Sequence, residues 1–281
     1  MPATQIAQNL AFINWTVLTG LALGSYAAVV LLRRRTAATP GFLRFTTFCA
    51  LAFGVLAWLS DGALPTSLGA SPVVIDPAWD APRRFALGAF CGLLVVALVV
   101  GRVRPTLGRA ADLIALGAAV ATLVFGSLAW GGAVGSLGIA GLLVQLAVLT
   151  AATGGVFAAM ILGHWYLVTP KLPEAPLILL SRLLLAVVAI QVVLFVVWQA
   201  TAAGPADVAP FASLVGPWAL FVWLRLIVGL VFPLVVSWAA VQTARTRSME
   251  SATGLLYINV GTIAAGTILA AGLYFGAGLL V

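Results

Sequence analysis

The chain has 281 residues, of which 63% are hydrophobic and only 7% charged, where a soluble domain carries roughly 25% charged residues. That balance excludes a water-soluble fold, and the continuity of the apolar runs excludes a membrane β-barrel, whose strands alternate. A net charge of +7 would suggest nucleic acid in a soluble protein. Here the arginines flank apolar runs, so they read as orientation signals and as contacts to anionic lipid headgroups.

The fold class is therefore all-α and polytopic, a single integral membrane domain. Apolar runs near the ~20 residues needed to cross a bilayer predict eight spans. They lie near 11–32, 42–60, 85–101, 111–130, 138–168, 176–200, 211–243 and 253–280. The first ten residues, MPATQIAQNL, lack the basic stretch of a cleavable signal peptide. The loops after spans 1, 3, 5 and 7 and the helix ends beside them hold Arg33, Arg34, Arg35, Arg44, Arg102, Arg104, Arg109, Lys171, Arg182, Arg245 and Arg247. The opposite side has Arg83 and Arg84, accompanied by Asp61, Asp76, Asp80 and Asp207. The positive-inside rule places both termini outside and the arginine loops in the cytoplasm of a bacterial inner-membrane protein. An odd number of spans would break this alternation.

Spans 1 to 4 carry a faint repeat. Span 2 ends FGVLAW (53–58) and span 4 ends FGSLAW (125–130), which is what a duplicated hairpin would leave, although chance similarity competes in so Ala/Leu/Gly-rich a chain. Cys49 and Cys91 fall inside apolar runs and read as small core residues. Trp15, Trp58, Trp130, Trp198 and Trp218 fall near the outer ends of their spans and read as interfacial anchors. The connection 61–83 contains four prolines, so it cannot span. It is either a solvated linker or an ordered cap that could dock a partner.

Span 5 ends in GHWYLVTP (163–170), which holds the single histidine of the chain. His164 lies 26 residues past Gly138, about 39 Å along a helix rising 1.5 Å per residue, and so near the cytoplasmic interface. Pro170 ends the helix, and Arg182 lies in the first turns of span 6. His164, Trp165, Tyr166 and Arg182 are expected to meet where spans 5 and 6 reach the headgroups. A quinone headgroup would use that set of donors and flat walls; an interfacial belt would use the same residues without a ligand.

Span 7 contains Arg225, eight residues from both Pro217 and Pro233. A lone arginine near mid-bilayer costs about 2.5–3.5 kcal/mol on insertion scales. Gln191 and Gln145 are neutral hydrogen-bond candidates for it, and a quinone, a haem propionate or a partner's carboxylate would be a ligand. Snorkelling to the headgroups is the other way out. Pro233 removes a backbone hydrogen bond, so a kink with a freed carbonyl is expected there.

Much chemistry is missing. Every carboxylate maps to a loop or a helix end, against the buried carboxylate of ion-coupled carriers. One histidine excludes bis-histidine haem and a zinc site, and no phosphate-binding glycine motif is present. The expectation is a membrane anchor, non-catalytic by itself and possessed of a quinone site, in a larger electron-transfer complex whose other subunits carry the redox centres. A haem on His164 with an external or absent second ligand is a lesser form of that reading. A small-solute transporter with Arg225 as substrate clamp is the alternative. The predicted orientation is checked by labelling. In a chain lacking Cys49 and Cys91, external maleimide should modify Ser67→Cys and leave Ala37→Cys untouched until the membrane is opened.

Overall fold

The computed structural model describes residues 1–69, 71–100, 105–132, 138–169, 172–201 and 209–281. Arg102, Arg104, Pro170, Lys171 and Asp207 lie outside the described residues. The described residues are 84% helical, with no strand among them. A short α1 (Pro2–Gln8) precedes α2 (Leu10–Arg35), α3 (Pro40–Asp61), α4 (Asp80–Val99), α5 (Pro105–Trp130), α6 (Gly138–Val168) and α7 (Ala175–Ala200). Then come α8 (Ala219–Leu226), a π-helical segment Ile227–Val231, α9 (Phe232–Arg245) and α10 (Met249–Ala277). Counting α8, the π segment and α9 as one rod, eight helices among the described residues are long and apolar enough to cross a membrane. Span 7 starts at Ala219, later than the expected 211, because Ala212–Leu214 forms a separate 3₁₀ turn and Pro217 follows it.

Helices begin where proline or a loop leaves backbone donors free. Pro40 opens α3, and Pro176 lies in the first turn of α7, positions where the missing N–H is not needed. Gly278 closes α10 in the left-handed conformation at φ 69°, the usual glycine stop.

Helices α2 and α6 form the centre. Within their most apolar stretches 72% of the residues are buried, against 44% or fewer in every other span. They cross with backbones touching: a Cβ on Gly24 would lie 2.0 Å from the Thr150 carbonyl oxygen, and one on Gly154 would lie 2.1 Å from the Ser25 nitrogen. In lipid, helix association relies on such close van der Waals approach, since the tails are as apolar as leucine. Helix α10 packs against both α6 and α2, and the Thr153 and Thr267 hydroxyls meet at 2.8 Å.

Each end of α2 carries a buried ionic cluster. At the end that bears Arg33–Arg35, Asp112 of α5 accepts from Tyr26 Oη and from Arg33 Nη1, both at 2.7 Å. At the opposite end Asp61 Oδ2 accepts from Trp15 Nε1 and Arg83 Nε, both at 2.8 Å, while Arg83 Nη1 reaches Asp80 at 2.8 Å. The Arg83 guanidinium also lies 4.6 Å over the Trp130 ring. These contacts bring the start of α2 to the end of α3 and the start of α4, as antiparallel neighbours require.

Three sequence expectations change here. Asp112 is not at a helix end but in the second turn of α5, fully buried. Asp61 does end α3 but is buried. Arginine partners at both positions remove the cost of a bare buried carboxylate. Trp15, Trp130 and Trp198 are buried in the bundle instead of facing headgroups, because neighbouring helices cover them. Trp58 is half-buried where its repeat counterpart Trp130 is fully enclosed. The 61–83 connection is packed: Leu68 and Val73 are buried, and the Asp76 N–H donates to the Ala129 carbonyl at 2.8 Å.

The glycine crossing predicts a paired outcome. Gly154→Ala should destabilise the purified chain by about 1–3 kcal/mol, as overpacking does. Gly155→Ala, where an added Cβ meets nothing within 4 Å, should leave the melting temperature near wild type.

Candidate functional site

Arg225 sits in the last turn of α8 and is 2% exposed. Its surroundings follow from Pro233. Proline lacks the N–H that would bond the carbonyl four residues back, which is Gly229, inside the π segment. That carbonyl accepts from Arg225 Nη1 at 3.0 Å. Arg225 Nη2 donates to Gln191 Oε1 of α7 at 2.7 Å, and Gln191 Nε2 donates to the Val148 carbonyl of α6 at 3.1 Å. Gly229 and Gly266 supply the space: a Cβ on Gly266 would lie 2.8 Å from Arg225 Nη1 and 2.7 Å from the Gly229 Cα. The arginine therefore does not snorkel. It binds α6, α7, the π segment and α10 into one polar core.

Among the described residues no carboxylate lies within ion-pair distance of Arg225, and its Nε has no hydrogen-bond partner. Gln191 fills the role expected from the sequence. Gln145 does not; its Oε1 accepts from the Val281 N–H at 3.0 Å. Asp61 is held by Arg83.

The residues of GHWYLVTP separate because successive helical side chains point about 100° apart. Gly163 lets α10 come close, since a Cβ there would lie 2.7 Å from Thr253 Oγ1. One turn beyond Thr253, the Tyr257 hydroxyl lies 3.3 Å from His164 Nδ1, and both side chains are exposed. Trp165 turns to α3, resting on Gly41 with ring centroids 6.5 Å from Phe42 and 6.3 Å from Phe45. Tyr166 is buried and donates to the Pro173 carbonyl, closing the turn into α7.

Arg182 is exposed on α7 and lines a shallow cavity of ≈ 420 Å³ with Glu174, Ile178, Leu179 and Arg245. Neither His164 nor the two aromatics after it contribute to that cavity. The expected meeting of His164, Trp165, Tyr166 and Arg182 at one point is thus replaced by three separate attachments and one exposed pair, His164–Tyr257. Compared with protein-family models, characterised proteins and solved structures, the chain matches none.

Sequence reasoning missed Tyr257 and both ends of α2. Tyr257 carried a usable signal, since it enters span 8 from the same face at which span 5 delivers His164. The pairing of Arg33 with Asp112 and of Arg83 with Asp61 joins residues 79 and 22 positions apart, and only the order of helix packing decides such partners. Among the described residues no three His, Cys, Asp or Glu side chains gather as a metal site. Cys91 packs against Gly54 and Cys49 is half-buried, both free thiols.

The Arg225 core predicts strong coupling. Gln191→Leu strands a buried charge and should cost about 3–5 kcal/mol, whereas joining it to Arg225→Met should restore most of the loss. Melting temperatures of the two single variants and the double variant in one detergent check the cycle.

Proposed function

We propose that this chain is the membrane-embedded, non-catalytic subunit of a larger bacterial electron-transfer complex, respiratory or photosynthetic, in the cytoplasmic membrane. Both termini face outward and the arginine loops face the cytoplasm. It anchors partner subunits that carry the redox centres, and it offers a quinone headgroup the His164–Tyr257 pair at the cytoplasmic edge of α6 and α10.

The occlusion of Arg225 is the main support. Its guanidinium is committed to Gln191 and the Gly229 carbonyl and is 2% exposed, so the interior polar group that a solute carrier would use is spent on joining helices. The buried carboxylates Asp61 and Asp112 are likewise held by arginines. A bundle whose interior charges are each bound to an internal partner suits a scaffold better than a path. His164 and Tyr257 are different: both are exposed, and a quinone carbonyl needs such donors at the interface. The quinone would move electrons and protons through the lipid phase, and this chain would supply hydrogen bonds and position. A haem would take the same His164, with its other ligand from a partner or absent.

Native purification in mild detergent should recover further chains at fixed stoichiometry, one of them bearing redox centres. In that complex, His164→Gln or Tyr257→Phe should weaken quinone binding by about 5-fold, the equivalent of one hydrogen bond near 1 kcal/mol, without loss of assembly. A Soret band that disappears in His164→Gln would assign the haem form instead. A lone monomer whose solute uptake in liposomes is abolished by Arg225→Gln would overturn the proposal in favour of a transporter.

A further inference from the structure

The face opposite the arginine-rich loops holds a second polar cavity, of ≈ 210 Å³, between the packed 61–83 connection and the ends of α2 to α5. Leu64, Pro65 and Ile75 of the connection line it from above. The connection is held there by the Asp76–Ala129 backbone bond and by Trp79, whose ring stacks on Phe125 at 5.7 Å and 17°. Asp61, Asp80, Arg83, Arg84 and Trp130 supply the polar lining.

The hydrogen-bonding capacity of this lining is unbalanced. Asp61 uses both oxygens on Trp15 and Arg83, and Asp80 uses Oδ1 on Arg83. Asp80 Oδ2 is the acceptor left over, on a side chain 41% exposed at the rim. Donors remain in excess. Arg84 has no hydrogen-bond acceptor and no carboxylate partner among the described residues. Trp130 is 0% exposed, and its indole N–H has no acceptor among the described residues. That indole is fully enclosed, so the donor open to the cavity is the Arg84 guanidinium.

Arg84 is also held inward. Its guanidinium lies 4.7 Å over the Trp58 ring, and a Cβ on Gly62 would come within 2.0 Å of its Nη1. An arginine at a membrane surface ordinarily extends towards phosphate and water. Gly62 and Trp58 instead provide a cradle that presents one unpaired guanidinium to the cavity. The volume falls below the ~300 Å³ at which sites for drug-sized ligands begin, so the cavity fits an ionic group and not a large molecule.

From this arrangement we infer that the cavity binds a single carboxylate or phosphate group, with Arg84 as the charge partner. The group belongs either to a small soluble anion or to the headgroup of an anionic lipid. The site is independent of the quinone reading, which concerns the other face.

The purified full chain in phosphatidylcholine nanodiscs tests it, since both faces are accessible. Inorganic phosphate or acetate, titrated against chloride at constant ionic strength, should raise the melting temperature saturably, as a ligand of the folded state does. Arg84→Gln should weaken that binding at least 10-fold while its melting temperature without added anion stays near wild type. A response to phosphate or acetate assigns a soluble anion. A response confined to nanodiscs containing phosphatidylglycerol, and lost in Arg84→Gln, assigns the lipid headgroup. No stabilisation of the wild type by any of these probes, or an equal response in Arg84→Gln, would overturn the site.

Discussion

The bundle depends on one contact, the crossing of α2 and α6 at Gly24 and Gly154, where the two backbones touch. A membrane gives helices little hydrophobic reason to associate, so close approach and satisfied polar groups must do it. Once α2 and α6 are in contact, α3, α5 and α10 pack around them. Each end of α2 then meets a charged partner. The Tyr26–Asp112–Arg33 cluster closes one end and the Trp15–Asp61–Arg83 cluster the other.

The same economy governs Arg225. Proline at 233 removes a donor, a π segment absorbs the mismatch, and the carbonyl so released accepts from the arginine. Gln191 takes the other side and passes the connection on to α6. A freed carbonyl and a buried charge, each unfavourable alone, satisfy each other. The π segment and the two glycines at its crossing with α10 serve this one arrangement.

With interior charges held in this way, the polar groups open to a ligand lie at the two surfaces. On one face it is the His164–Tyr257 pair; on the other it is Arg84 beneath the packed 61–83 connection. The functional proposals rest on those two places. Trp165 and Tyr166, adjacent to the histidine in sequence, act as locks to α3 and to the turn before α7. A helix cannot aim three consecutive side chains at one ligand.

The sequence by itself determined the class, the number of spans and most of their limits, because the bilayer sets length and hydropathy locally, residue by residue. It also determined that Arg225 needed a partner and that Pro233 would free a carbonyl, since both are costs attached to single residues. Gln191 was legible as a candidate for the same reason. Which carboxylate serves which arginine, which tryptophans are enclosed, and where Arg84 points were not legible. Those depend on contacts between helices far apart in sequence, in a chain where Ala, Leu and Gly make every apolar face alike. Only the packing order, set by the places where glycines let backbones touch, decided them.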